Sequence, residues 1–363
     1  MTKRKSSAGR INTNEIRNLL NKGAGYEVAY NLQEENPTDV KTWIPTGSKW
    51  LDSIICRGRQ AGIPTGKITE IAGLEGAGKS WMAAQIAANA QQMGFTVIYF
   101  DAESAIDSSL LTRLGIDLDS FIYVQATTVE FVLEKIESLI ANTDNKYLFV
   151  WDSVAQTPCE KETVGSFDPN SQIGIKARIL SLGLRKLNIP LANHESTLLV
   201  LNQLKTNIAS TPSQRMEVLT EPYVTPGGKA MNYSASLRIW LTGRKAKSSF
   251  IMDEGDQIGY EVQARLKKSR FGTTNRRCHF KIIFAGDVGI LDEESWLDAV
   301  LSSDNLTQSG AWYALKYSDG TTQKFQSKTW VNKLHTDEKF KARVLEIMEE
   351  EIIKKYEEKT RIA

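Results

Sequence analysis

The sequence predicts an α/β fold in which a mainly parallel sheet is flanked by helices. Three observations carry that expectation. Short, almost wholly apolar runs of strand-forming residues recur along the chain, helical patterns lie between them, and a glycine-rich turn joins the first run to an alanine-rich helix. Strands that are apolar on both faces belong to sheets covered on both sides, and helices are the usual connection between parallel strands.

Residues 1–45 are polar, with one short helical pattern at Ile16-Arg-Asn-Leu-Leu20, and form an N-terminal segment. The core opens with Pro45-Thr-Gly-Ser-Lys-Trp-Leu-Asp52. Lys67-Ile-Thr-Glu-Ile-Ala72 reads as the first strand and Ser80 to Met93 as the alanine-rich helix. Thr96-Val-Ile-Tyr-Phe-Asp101 and Phe121-Ile-Tyr-Val-Gln125 are the second and third strands, followed by a helix through Phe131, Ile136 and Leu139. Tyr147-Leu-Phe-Val-Trp-Asp152 is the fourth strand, Ile173 to Leu187 a further helix, and Thr197-Leu-Leu-Val-Leu-Asn-Gln203 the fifth strand.

After about residue 233 the helices give out. Ala235 to Arg244, Tyr260 to Lys268 and Cys278 to Phe284 follow one another as strands, the pattern of antiparallel strands added at a sheet edge. From about residue 291 a small α+β unit follows, with a helix at Trp296 to Leu301, a hairpin around Ser318-Asp-Gly320 and a charged helix over about 337–359. The expected organisation is therefore an N-terminal segment over 1–45, a core over 46–290 and a small C-terminal domain over 291–363.

Composition excludes several classes. With 363 residues the chain has room for about two domains. Its apolar residues make up 41% and its charged residues 24%, the balance of a globular protein rather than a disordered one. Apolar runs such as Leu198 to Leu201 are far shorter than the roughly 18 residues a membrane span needs. The basic, polar start MTKRKSSAGRINTNE has no apolar region of the kind a secretory signal requires. Three scattered cysteines (Cys56, Cys159, Cys278) and three histidines make no disulfide framework and no zinc cluster, so a reducing cytoplasm fits best, the host's if the protein is viral. The net charge of +2 means that an anionic partner must be met by local clusters. Those clusters are Arg244-Lys245-Ala-Lys247, Arg265-Leu-Lys267-Lys268-Ser-Arg270 and Arg276-Arg277.

The strongest motif is Gly73-Leu74-Glu75-Gly76-Ala77-Gly78-Lys79-Ser80, a complete phosphate-loop pattern between a strand and a helix. Glycines let the loop wrap a phosphate with its N–H groups turned inward, and the following helix adds the positive end of its dipole. Lys79 supplies a charge for the β- and γ-phosphates, and the Ser80 hydroxyl can ligate Mg²⁺. The chain is thus expected to bind a nucleoside triphosphate. Asp152 ends an apolar strand, which suits either a Walker-B carboxylate holding Mg²⁺ or a helix cap. Glu103, just past the second strand, is either a base that orients water toward a γ-phosphate or a first-turn acid favoured by a helix dipole. Asn202-Gln203 ends the fifth strand, where an amide can reach the same phosphate or simply begin a loop.

Five motifs together identify a family. With the phosphate loop, Phe100-Asp-Ala-Glu-Ser-Ala-Ile-Asp107, Val150-Trp-Asp-Ser-Val-Ala155, Leu199-Val-Leu-Asn-Gln203 and Pro226-Gly-Gly-Lys-Ala230 stand in the order of the RecA family of homologous-recombination proteins. The resemblance spans about Thr46 to Trp330, and Ser309-Gly-Ala-Trp-Tyr313 resembles the corresponding bacterial segment. It implies a RecA-like P-loop ATPase core in a DNA-dependent ATPase that uses ATP and Mg²⁺. Such a protein forms filaments on single-stranded DNA, pairs it with homologous double-stranded DNA and exchanges strands in recombination and repair of DNA damage. Single-strand-binding and mediator proteins are further partners it implies, and residues 1–45 would dock on a neighbouring subunit.

The resemblance also assigns roles by position. Glu103 falls on the catalytic glutamate, Asp152 on the Walker-B acid, and Gln203 on the glutamine that senses the γ-phosphate and begins the second DNA-binding loop. The first DNA loop would be about 160–170, leading to Ile173, and the second about 204–228. Arg178, Ser181 and Arg185 are three and four residues apart and so share a helix face that can track successive phosphates. The second loop carries Lys205, Arg215, three prolines and Gly227-Gly228, with Lys229 following. About 25 residues without obvious secondary structure reads as a functional, mobile loop. Lys268-Ser-Arg270 falls on the paired lysines that reach a neighbour's γ-phosphate, with arginine in place of the second lysine.

Other departures are Leu110 where the family often stacks a tyrosine on adenine, Tyr233 for a phenylalanine, a longer second loop, and a C-terminus of mixed charge instead of an acidic tail. They point to a phage-type recombinase. Two competing functions share parts of this pattern. A ring helicase should lack the Gly-Gly loop and the matching C-terminal unit, whereas an accessory paralogue need not retain Lys79, Ser80, Glu103 and Asp152.

Overall fold

A computed structural model of the chain describes residues 12–353, apart from 25–27, 35, 56–61, 105, 165–173, 208–217, 220, 244–248, 273 and 287. Two units are distinguished, 1–41 and 42–363. The first contains helix α1 (Thr13–Ala24). Beyond it, Asn21 Oδ1 accepts the Val28 and Ala29 N–H groups at 2.9 and 2.8 Å.

The second unit begins with a two-strand ribbon, β1 (Trp43–Ile44) and β2 (Ile63–Pro64), around helix α2 (Lys49–Ile55). Then come β3 (Ile68–Gly73), α3 (Lys79–Gln92), β4 (Thr96–Asp101), α4 (Ser108–Arg113), β5 (Phe121–Gln125) and α5 (Val129–Asn142). They are followed by β6 (Tyr147–Asp152), α6 (Glu160–Val164), α7 (Ile175–Asn193), β7 (Thr197–Gln203), β8 (Lys205–Thr206), β9 (Tyr223–Val224) and α8 (Ala230–Ser234). The remaining strands of the large sheet are β10 (Leu237–Gly243), β11 (Phe250–Asp253), β12 (Asp256–Ser269), β13 (Arg277–Ile283) and β14 (Gly289–Leu291). The C-terminal elements are α9 (Ser295–Leu301), the meander β15 (Leu306–Ser309), β16 (Trp312–Lys316) and β17 (Thr322–Gln326), then α10 (Trp330–Thr336) and α11 (Glu338–Ile347).

The large sheet runs β14-β13-β12-β10-β3-β7-β6-β4-β5, with β11 beside β12. From β10 to β5 every pairing is parallel. The expectation of three antiparallel additions after residue 233 is corrected at its first member. Strand β10 lies parallel to β3, and antiparallel pairing starts only at β12. The short helix α8 supplies the crossover that sequence periodicity did not reveal, because five residues make barely one turn.

Alternate residues of each central strand enter opposite cores, as the pleat dictates. Leu148 and Val150 of β6 join one apolar cluster with α3, while Tyr147, Phe149 and Trp151 join another with α5 and α7. Both faces being covered, β3 and β6 are buried throughout. Burying each such leucine or phenylalanine contributes about 1.5–3 kcal/mol. Trp330, Phe340 and Val344 of the C-terminal elements lie in the same cluster as Met82 and Ile86 of α3. The charged C-terminal helix is shorter than expected, ending at Ile347 before a wider turn over Met348–Ile353, and 354–359 lie outside the described residues.

Candidate functional site

Four neighbouring strands finish at one edge of the sheet. Gly73 is in register with Gln203, and Asp101 with Asp152, so the ends of β3, β7, β6 and β4 line up there. The carboxyl edge of a parallel sheet is where α/β proteins place their ligands.

The phosphate loop leaves β3 at Gly73 and enters α3 at Lys79. Gly78 has φ 82°, and a Cβ there would lie 2.3 Å from Ile282 Cδ1, so only glycine fits. The first helical hydrogen bond runs from Met82 N to Gly78 O (2.9 Å), which leaves the N–H groups of the preceding turn facing the loop. Lys79 folds back and its Nζ donates to the Leu74 carbonyl at 3.0 Å. Burial lowers the Lys79 pKa, and the carboxylates of Asp152, Glu103 and Glu75 oppose that shift. An ammonium so placed gains from an arriving phosphate.

Ser80 Oγ donates to Asp152 Oδ2 at 2.7 Å, and Tyr99 Oη donates to the same oxygen at 2.8 Å. Burial raises the Asp152 pKa, while these two hydrogen bonds hold the carboxylate form. A hydroxyl and a carboxylate beside the phosphate loop are the hard oxygen donors Mg²⁺ prefers, so these residues fit that ion. Among the described residues no group of three or more His, Cys, Asp or Glu side chains could hold a metal ion.

Glu103 lies just beyond β4 and is exposed. Asp101 Oδ1 shapes its turn by accepting the Glu103 and Ser104 N–H groups at 2.8 and 2.9 Å. Ser153 Oγ donates to Glu103 Oε1 at 2.8 Å. Gln203 N donates to Asn202 Oδ1 at 2.9 Å, and the buried Asn202 amide donates to Glu70 Oε1 at 2.9 Å and to the Pro226 carbonyl at 3.1 Å. Tyr99, Ser153, Glu70 and Arg238 escaped the sequence reading. Tyr99 and Ser153 look like ordinary strand and turn residues, but an acid inside Ile-Thr-Glu70-Ile-Ala and a base inside Leu-Arg238-Ile-Trp-Leu are visible anomalies in buried strands.

Lys268 and Arg270 are elsewhere. Lys268 is in register with Arg238, and Arg238 with Glu70, three residues before Gly73, so the pair lies toward the other end of the sheet from its own phosphate loop. Lys268 Nζ donates to the Asn232 carbonyl at 2.6 Å, and Arg270 Nη2 to the Tyr233 carbonyl at 3.2 Å, both at the C-terminal end of α8. Tyr233 itself is 69% exposed. Burial, followed by the charges of Arg270 and Arg238, brings the Lys268 pKa down to about 8.

On the other candidate surface, α7 buries Leu180, Leu184, Leu187 and Leu191 and turns Arg178 and Arg185 outward, with Ser181 half-buried between them. Arg185 Nε donates to the Ser181 carbonyl at 3.0 Å. The Gly227-Gly228 pair packs on this helix, since a Cβ on each would meet Leu180 Cδ1 at 3.1 Å and Ala177 Cβ at 3.2 Å. Lys205 and Lys229 are exposed at the two ends of the second loop. That loop is less irregular than expected, for β8 and β9 pair antiparallel at its base and Asn207 N donates to the Pro222 carbonyl at 2.8 Å. Its interior, 208–217, including Arg215, lies outside the described residues, as do Ile173, 165–170 of the first loop, and Arg244, Lys245 and Lys247. Residues Glu160–Val164 of the first loop are helical. Leu110 is half-buried on α4 and packs against the first apolar cluster.

Comparison with known proteins gives one answer. The model of the RecA N-terminal domain family matches residues 13–289. Protein RecA of Fusobacterium nucleatum subsp. nucleatum is 31% identical over 297 residues, covering 82% of this chain and 74% of that one. Protein RecA of Saccharopolyspora erythraea is 33% identical over 270 residues, covering 74% and 73%. Protein RecA of Aquifex pyrophilus is 31% identical over 283 residues, covering 78% and 76%.

Proposed function

The chain belongs to the RecA family, and from that premise we propose how its residues divide the work of an ATP-hydrolysing recombinase acting in homologous recombination and repair. The observation that carries the division is the convergence of Lys79, Ser80, Asp152, Glu103 and Gln203 at one sheet edge, tied by the Ser80–Asp152 hydrogen bond. The loop Gly73–Ser80 and Lys79 bind the ATP phosphates. Ser80 and Asp152 hold the Mg²⁺ that, when bound, neutralises charge on the β- and γ-phosphate oxygens. Glu103, steadied by Ser153, orients the attacking water, and Gln203 reads the γ-phosphate.

Lys268 and Arg270 serve the neighbour. Their register toward the far end of the sheet supports a target outside their own protomer. A triphosphate held from both sides then favours the extended filament, and its hydrolysis weakens the contact. Arg178, Ser181, Arg185, Lys205, Gly227, Gly228 and Lys229 face single-stranded DNA, with Ile173 just after the first loop, and the filament pairs that strand with a homologous duplex. Residues 46–290 form the ATPase core and 291–363 a smaller unit, while the segment 1–45 docks on a neighbour through the residues ahead of β1, which itself pairs with β2. No helix among the described residues is long and apolar enough to cross a membrane, and work on DNA agrees with a cytoplasmic protein.

A strand-exchange assay with homologous single- and double-stranded DNA tests the assignment. ATP-dependent joint molecules are the expected result. Unwinding without pairing would replace the recombinase by a helicase, and neither activity would leave an accessory role.

A further inference from the structure

Arg238 and Glu70 are 5% and 0% exposed, on two adjacent strands, β10 and β3, that are already held by backbone pairing. A buried ion pair adds little net stability over apolar residues of the same size, so holding β10 against β3 does not require it. What a guanidinium supplies that an apolar side chain lacks is a rigid fork of directed donors. Here each of the three nitrogens donates to a different segment. Nε donates to Glu70 Oε2 on β3, Nη1 to Asn232 Oδ1 on α8, and Nη2 to Thr225 Oγ1 at 3.1 Å, on the return of the second loop.

The other Glu70 oxygen accepts Asn202 Nδ2 at 2.9 Å, and that amide also holds the Pro226 carbonyl. Asn202 Oδ1 accepts the Gln203 N–H, while the Asn232 carbonyl accepts Lys268 Nζ. A continuous polar chain therefore runs Lys268–Asn232–Arg238–Glu70–Asn202–Gln203, with Thr225 and Pro226 bonded to its middle.

We infer that Glu70 and Arg238 are positioning residues that make the Lys268 cation, the γ-phosphate-reading strand end and the return of the DNA loop one mechanical unit. Withdrawing Lys268 from the Asn232 carbonyl toward a neighbour's phosphate alters the acceptor residue of Arg238. The fork transmits that change to Asn202 and to Thr225–Pro226. In the opposite direction, a DNA strand held against Thr225–Pro226 presents Lys268 to the interface. The inference rests on the assignment of Lys268 to the neighbouring nucleotide.

The test measures ATP turnover with and without poly-dT, together with ATP binding by isolated subunits and thermal unfolding. Asn232 is an exposed residue, so Asn232→Ala removes the link without opening the core. Glu70→Gln does so within the buried pair. Both variants should bind ATP and turn it over without DNA within about twofold of the parent, yet lose about tenfold in DNA stimulation. Asn232→Asp keeps the acceptor oxygen and should restore it.

A lower unfolding temperature with undiminished DNA stimulation would make the network purely structural and overturn the inference. If Glu70→Gln fails to fold, the Asn232 pair of variants decides alone. Lys268→Ala in the same assay separates the two levels. Its loss of DNA stimulation with Asn232→Ala unaffected rejects the network, whereas full stimulation in Lys268→Ala rejects the cross-protomer assignment beneath it.

Discussion

The two halves of the nucleotide machinery are built differently. Around the phosphate loop, a protomer brings its own groups together: Ser80, Tyr99 and Asp152 are hydrogen-bonded at the carboxyl edge of buried strands, and Ser153 holds Glu103 beside them. The Lys268–Arg270 half sits toward the other end of the sheet, resting on the carbonyl oxygens that close α8. Carbonyls at a helix C-terminus are natural partners for a cation, but a phosphate is a stronger one. The first half is thus preorganised within one chain, while the second, on the assignment proposed above, is completed only by another chain.

That contrast can be broken at either half. The largest effect is expected from Lys79→Ala, which should either abolish nucleotide binding or reduce ATP turnover about 10³-fold; parent-like turnover in a steady-state assay would reject the phosphate-loop assignment. Glu103→Gln should slow hydrolysis about 10²-fold while ATP-supported DNA binding persists, to be read as DNA retention against phosphate release. A change in the second half acts differently. Lys268→Ala should leave ATP binding by isolated subunits intact and cut DNA-stimulated turnover about tenfold.

The same lysine sets a pH dependence. In the free protomer burial, Arg270 and Arg238 hold its pKa down to about 8 from an ordinary 10.5. A neighbouring phosphate favours the charged form, so assembly takes up a proton. The interaction is therefore complete below about pH 8 and lost as pH rises above it. ATP-driven assembly followed by light scattering should weaken about tenfold between pH 7 and 9, and Lys268→Arg should flatten the profile. The smallest effect returns to the first half. Tyr99→Phe removes one hydrogen bond to Asp152, and the Mg²⁺ concentration for half-maximal turnover should rise about threefold; a titration unchanged by the mutation would show that Tyr99 does not support the metal site.

Much of the fold was legible because the central parallel strands are buried and must be apolar, while the edge strand Phe121–Gln125 shows itself by its β-branched and aromatic residues instead. Thr96–Asp101, Phe121–Gln125, Tyr147–Asp152 and Thr197–Gln203 have the bounds their sequences suggest. Motifs at the strand ends likewise named the residues gathered at the sheet edge. Less visible were features that depend on partners distant in sequence. The parallel placement of β10 follows from a five-residue helix, and the base of the second loop pairs residues separated by the whole loop. Glu70 and Arg238 are 168 positions apart, and no local pattern links them; only their charge within apolar strands marked them as unusual. Helix α7 continues through Pro190 to Asn193 because tertiary packing of Leu187 and Leu191 outweighs the single N–H that proline lacks.

On the assignment proposed above, one ATP is gripped by two protomers. The most direct test is a structure of the filament on single-stranded DNA with a slowly hydrolysed ATP analogue. Lys268 and Arg270 of one protomer are expected within about 3 Å of the γ-phosphate bound by Lys79 of the next. A nucleotide enclosed by one protomer, with that pair still on the carbonyls of Asn232 and Tyr233, would contradict it.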